Sequence, residues 1–255
     1  MFGNPTQAQA SQPAKRRAKL FEPLNAPPAA GVSPNHVNPL AAGLSYKASK
    51  DYALAAAWLR KAAERGNPNA QYHLWSLYKH GQGLAQDYKQ AAFWYGRAAA
   101  QGHARAQCAL GVLYKHGVGV PQDFALALQW LRAAVMQGHG TAQYHLGDLY
   151  QQGLGVTRNL EQAAHWFRQA AEQGCNAAQY YLAMLYRDGQ GVARDVGQAA
   201  HWFRQAADQG SSLAQYALGD LYRSGLGVSQ ADEQAAVWLR KAVDYGHAGT
   251  PAERQ

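Results

Sequence analysis

The sequence predicts an all-α solenoid of stacked two-helix blocks, on three observations. A 36-residue period runs through most of the 255 residues, each period holds two amphipathic helical stretches, and glycine-rich turns separate them. Blocks begin at Gly66, Gly102, Gly138, Gly174 and Gly210 with no insertion or deletion, giving five full repeats over 66–101, 102–137, 138–173, 174–209 and 210–245. Trp58, Trp94, Trp130, Trp166, Trp202 and Trp238 stand 36 apart, so an N-terminal half repeat over 51–65 precedes the full ones. One helix pair has no means of burying both faces alone, and neighbouring blocks must therefore stack.

Within a block, the first helix is set by Ala70, Leu74, Leu77 and Tyr78, which fall at i, i+4, i+7 and i+8 and make one apolar stripe. Gly81 and its equivalents end that helix, where the residue after the last turn adopts positive φ. The second helix opens at Asp87, Asp123, Asn159 and Asp195, whose side chains can accept from the free N–H groups of the first turn. Gln90, Gln162 and Gln198 three residues later predict a reciprocal capping box. The last block carries Ala231 at the cap position and Asp232 after it, which predicts a shifted start. Segments such as AAHWFRQAA set small alanines around one tryptophan, predicting a large knob received by the neighbouring block.

Composition limits the function classes. Hydrophobic residues at 47% and charged residues at 16% can form a core, while no apolar run approaches the roughly 18 residues of a membrane span. The N-terminus places its basic cluster after a polar run and lacks an apolar segment behind it, so a secretory signal is not expected and a cytoplasmic protein is. Cys108 and Cys175 give neither a disulfide framework nor a cysteine-based zinc site. The net charge of +8 is concentrated in residues 1–50, which hold +5, and the remainder lacks the dense basic face that nucleic acid would require.

The ends read differently from the middle. Residues 1–44 are basic and proline-rich and predict a disordered arm, in which AKRRAKLFEPL (Ala14 to Leu24) is either a motif for a partner or anionic surface, or a solubilising tail. Residues 40–50 offer a degenerate first helix. At the other end, residues 247–255 form a short tail, and the face around Val237, Trp238 and Val243 either folds against it or meets a second chain in a homodimer.

The pattern A-Q-x-x-L-G-x-L-Y-x-x-G-x-G-V-x-x-D, followed by A-A-x-W-[FLY]-R-x-A-A-x-Q-G, resembles the Sel-1-like repeat, a relative of the tetratricopeptide repeat. Residues 140–174 carry it most fully, and the resemblance covers about residues 45–246. It implies antiparallel helix pairs in a right-handed superhelix, first helices lining a concave surface, and an adaptor that gathers other proteins. It also implies a bacterial protein. A cysteine-rich subset of the family is associated with weak penicillin binding or hydrolysis, and this chain lacks the paired cysteines of that subset.

If the recurrent letters stack, the variable letters of the first helices are left for a partner protein or peptide. The candidate contact residues are His73, Lys79, Lys115, His145, Tyr181, Met184, Arg187 and Arg223, among which Lys79, Lys115, Arg187 and Arg223 repeat one position and suggest a grip on an acidic peptide. The same cations also suit the last turn of a helix by its dipole alone. Neither metal nor cofactor is expected: His165 and His201 occupy equivalent places about 10 Å apart by packed-helix spacing, and His73 and His80 are too far apart along one helix to share an ion. Ser76 and Lys79 formally match the S-x-x-K of penicillin-recognising enzymes, the enzymatic alternative, but no S-D-N or K-T-G follows. A third alternative has the arm recruiting the chain to an anionic surface. The G-x-G turns lack the extension of a nucleotide site and read as caps.

Overall fold

Each first helix starts at a short cap residue in extended backbone. Asn67 Oδ1 accepts from the Ala70 N–H at 3.0 Å, His103 Nδ1 from Ala106 at 3.2 Å, His139 Nδ1 from Ala142 at 3.3 Å, and Ser211 Oγ from Ala214 at 3.4 Å. Cys175 occupies the same position with φ −68° and ψ 106°, yet makes no side-chain cap bond. In the five full repeats each first helix then ends on a left-handed glycine, for example Gly117 at φ 67°, whose N–H returns to Leu113.

A computed structural model describes residues 38–244 of the chain. The arm through residue 37, with its AKRRAKLFEPL segment, and the tail over 247–255 lie outside the described residues. Twelve helices follow one another: α1 (Pro39–Ala48), α2 (Tyr52–Glu64), α3 (Pro68–His80), α4 (Tyr88–Ala100), α5 (Ala104–His116), α6 (Phe124–Val135), α7 (Gly140–Gln152), α8 (Leu160–Glu172), α9 (Asn176–Asp188), α10 (Val196–Asp208), α11 (Ser212–Ser224) and α12 (Asp232–Asp244). No strand occurs among the described residues, and the architecture is the all-α solenoid of helix pairs that the period predicts. The helix expected over 40–50 is α1, capped by Asn38, so the boundary drawn at residue 44 falls inside a helix. The chain divides into two compact units, one ending at Gln86 with α1–α3 and one beginning at Asp87 with α4–α12.

The second helices open on the predicted caps. Asp87, Asp123, Asn159 and Asp195 accept from their own first turns at 2.8–3.0 Å. The reciprocal half of the capping box has no work to do at Asn159 and Asp195, because their backbone N–H groups already bond Tyr150 O at 3.0 Å and Tyr186 O at 2.9 Å. That bond also corrects the shifted start expected of the last block. Ala231 N–H reaches Tyr222 O at 3.1 Å, so α12 begins at Asp232, in register with its predecessors, despite the missing cap side chain.

Stacking rests on the buried glutamine of each Ala-Gln pair. In the first unit, Gln71 Nε2 donates to Ala63 O of α2 at 3.0 Å. In the second, Gln107, Gln179 and Gln215 donate in the same way to Ala99 O, Ala171 O and Ala207 O at 3.1–3.2 Å. The other end of the amide is held from the following helix: Gln137, Gln173 and Gln209 each donate to the Oε1 of Gln107, Gln143 and Gln179 at 2.8 Å. Around these bonds the alanines pack nearly flush, Ala163, Ala164, Ala170 and Ala171 among them.

Two expectations are corrected by the packing. The recurrent tryptophan is mostly half-buried, and the residue after it is the fully enclosed one: Leu59, Leu131, Phe167 and Phe203 are all 0% exposed. The tryptophan lies over the seam, as Trp202 does between two core clusters, while its neighbour fills the core. The second glycine of each G-x-G turn is a contact point and not a cap. A Cβ on Gly119 would stand 2.3 Å from Tyr88 O, and one on Gly191 2.2 Å from Leu160 O, so the turn of one block presses on the start of the preceding second helix.

These contacts make two predictions. Cys175→Ser supplies the missing cap acceptor in a backbone already shaped for it, and raises stability by about 0.5–1 kcal/mol in urea unfolding. Gln179→Leu strands Ala171 O and the Gln209 amide, and lowers stability by about 2 kcal/mol in the same measurement.

Candidate functional site

The candidate residues sit on first helices, in the two units separately. In the first unit, His73 Nδ1 lies 3.4 Å from Lys47 Nζ, and the Lys79 ammonium stands 5.0 Å from the centre of the Trp75 ring. No hydrogen bond joins Ser76 to Lys79, so the S-x-x-K match finds no nucleophile and base in contact, and the enzymatic alternative is unsupported.

In the second unit the repeated cations are not equivalent. Lys115 of α5 is 7% exposed and paired with Asp148 of α7, whose other oxygen accepts from Gln152. A lysine enclosed this way is a stacking element between first helices, and removing one partner of such a buried pair costs about 3–5 kcal/mol. Arg187 grips Asp188 at 2.7 and 3.1 Å, and Arg223 reaches Asp220 at 2.6 Å, both at the surface. The expected basic floor is therefore charge-compensated in this unit: all three of its repeated cations carry a carboxylate partner of their own.

Aromatic rings dominate the middle of this face. Tyr181 stacks on Phe167 at 5.6 Å between centroids and leans on Tyr144 at 6.0 Å, while Met184 packs beside the core of the next block. His145 is largely enclosed, its Nδ1 without a partner, and its pKa is pushed down to about 4, first by burial and then by the Lys115 cation. Asp148 opposes that shift, while His116 and His139 add to it. Burial pushes the Cys108 thiol up to about 12, which makes it an inert core group.

Outside the face, His165 and His201 lie edge-on to Trp166 and Trp202 at 4.8 and 5.0 Å. No group of three His, Cys, Asp or Glu side chains able to hold a metal occurs among the described residues, and no helix of theirs is long and apolar enough to cross a membrane. Val237 and Val243 on α12 are 53% and 63% exposed.

A second recurrent pair was missed in the sequence. Arg60, Arg132 and Arg168 donate to the hydroxyls of Tyr78, Tyr150 and Tyr186 at 3.1, 3.2 and 2.8 Å, and the Arg204 guanidinium lies 5.5 Å from the Tyr222 ring. Both letters recur at 36 residues, so the pair is periodic in the sequence, but the apolar stripe accounts for the tyrosine ring and leaves its hydroxyl unassigned. The series is broken once, where Gly96 faces Tyr114.

A 36-residue helix pair with a buried glutamine, a left-handed glycine and an arginine–tyrosine clasp defines a helical-repeat protein. The chain belongs to the Sel1 repeat family: the family's model, Sel1 repeat, matches residues 41–67, 68–103, 104–139, 140–175, 176–211 and 212–247. Sel1 repeat proteins generally mediate protein–protein interaction and are typically non-enzymatic scaffolds. Among solved structures, the chain is similar to c5321, described as a protective antigen present in uropathogenic Escherichia coli strains and displaying an SLR fold, at 39% identity and a TM-score of 0.77. The match covers 82% of this chain and 46% of that one, so this chain spans about half its length. A Sel1 repeat protein from Oxalobacter formigenes matches at 31% identity and a TM-score of 0.77, over 83% of this chain and 84% of that one. The immunity protein PA5088 of Pseudomonas aeruginosa, 20% identical over 88% of this chain and 87% of that one with a TM-score of 0.54, shares the fold. No curated protein matches the chain with significance.

The depressed His145 pKa makes a pH prediction. The unfolded chain takes up a proton near the ordinary value of 6.5 and the folded chain only near 4, so this histidine makes stability fall as pH drops through that window. Between pH 7 and pH 5 it accounts for a loss of about 2 kcal/mol. In His145→Asn, urea unfolding at the two pH values shows that part of the dependence removed.

Proposed function

We propose that this chain is a non-enzymatic scaffold that binds a peptide or protein partner on its first-helix surface. On the second unit the contact set is Tyr181, Met184, Arg187 and Arg223, with His145 behind it as packing; on the first unit it is His73 and Lys79. Lys115 is withdrawn from the set by its burial against Asp148.

The observation that carries this reading is the half-buried Tyr181, held by Phe167 and Tyr144, in a unit whose Arg187 and Arg223 and their carboxylate partners are at the surface. A tyrosine fixed by its neighbours loses little entropy on binding, and tyrosine and arginine concentrate binding energy at interfaces. The Arg187–Asp188 and Arg223–Asp220 pairs are worth little in water, so a partner's carboxylate can replace the internal one at small cost. The membership of a family of interaction scaffolds supports the same reading.

The test is affinity capture from a native lysate with the wild-type chain beside Arg187→Glu/Arg223→Glu, which spares the buried Lys115–Asp148 pair. A protein retained by the wild type is expected to bind the variant at least tenfold more weakly, with the helical circular dichroism unchanged. An identical set of captured proteins on both rejects this surface.

A further inference from the structure

The broken arginine series opens a hollow on the second-helix side of the second unit. In four places the repeat lays an arginine of a second helix onto the tyrosine 18 residues later on the following first helix. At the fifth, Gly96 has no side chain, and a Cβ there would meet nothing within 4 Å. The space left is about 500 Å³, with Phe93, Tyr114 and Trp130 among its walls and Lys89 and Arg97 on the same lining. The Tyr114 hydroxyl, clasped in the sister repeats, has no partner among the described residues.

The surroundings of Gly96 bring an exposed aromatic ring together with two cations, a combination that no other block carries. Phe93 stands where the other blocks carry Ala57, Gln129, His165, His201 and Val237, and it is 51% exposed. Arg97 is a cation, as Lys61 and Lys241 are at the same repeat position, where Ala133, Gln169 and Gln205 are neutral, and its guanidinium lies 5.9 Å from the Phe93 ring. Lys89 stands where the other blocks carry Ala53, Ala125, Glu161, Gly197 and Glu233. Neither cation pairs with a carboxylate among the described residues, in contrast to Lys115, Arg187 and Arg223.

We infer that the hollow at Gly96 is a docking site, separate from the first-helix surface, for an acidic peptide segment of a partner protein that inserts one aromatic or large aliphatic side chain. The apolar side chain lies between Phe93 and Trp130, a polar group beside it reaches the free Tyr114 hydroxyl, and flanking Asp or Glu carboxylates pair with Arg97 and Lys89. The charge selects this occupant over two others. An arginine offered in trans to restore the clasp meets two cations at the rim, and so does this chain's own arm with Lys15, Arg16, Arg17 and Lys19.

The test pans a random-peptide phage library on the wild-type chain, with Gly96→Arg as counter-selection. That variant restores the residue that four sister positions carry, fills the hollow and keeps the fold, which its thermal melt checks. Enriched peptides are expected to share an aromatic or large aliphatic residue next to Asp or Glu. By fluorescence anisotropy, one such labelled peptide binds Gly96→Arg and, independently, Lys89→Glu/Arg97→Glu at least tenfold more weakly than wild type. It binds Arg187→Glu/Arg223→Glu as wild type does, which separates this site from the first-helix surface. The inference is overturned if no peptide is enriched that Gly96→Arg loses, if the enriched peptides are basic or lack the apolar residue, or if the charge-reversed variant binds unchanged.

Discussion

The buried amide of the Ala-Gln pair is the interaction on which the stacking depends. A helix surface made of alanine approaches its neighbour closely and buries little area per residue, so apolar contact alone defines the register between blocks loosely. The glutamine fixes it. Its Nε2 reaches back to a carbonyl at the end of the preceding second helix, and in the central blocks its Oε1 is held by another glutamine at the end of the following one. One side chain thereby ties three consecutive helices together, in an interior where an unmade hydrogen bond is expensive. Gln215 shows the same logic at the edge: its Nε2 is bonded, but its Oε1 has no partner, and the position equivalent to Gln209 is Tyr245, beyond the described residues.

That register decides which side chains remain for partners. Because the stack is fixed by alanine, glutamine and the glycine contact points, the outer letters of each helix vary without disturbing it. Some variable letters were nevertheless recruited into the stack. Lys115 and Asp148 vary along the repeat, yet they form an enclosed pair between α5 and α7 with His145 beside it. The surviving surface chemistry is aromatic with compensated charge around Tyr181, and aromatic with uncompensated charge around Gly96.

The repeat also makes its own exceptions legible. Four arginine–tyrosine clasps establish what this repeat position ordinarily holds, so the single glycine acquires meaning by comparison with sister positions in the same chain. In a fold without internal repetition, an exposed Phe93 and a shallow hollow would carry no such reference. The same comparison identifies Cys175 as the first-helix cap without a bond, and Ala231 as a second-helix cap position whose register survives through Tyr222 O.

The sequence by itself determined the helices, their caps and their stacking order, because those follow from local spacing: an apolar stripe at i, i+4, i+7, an Asp or Asn before the first turn, a glycine at positive φ after the last. It also marked the first-helix letters free to vary. Only the tertiary structure decided that Lys115 is enclosed while Arg187 is not, that Phe167 and not Trp166 fills the core, and that the second turn glycine is a contact point. Each of these depends on a residue from another block arriving within a few ångströms. Periodicity says that the blocks meet; the side-chain geometry at the seam settles which atoms do.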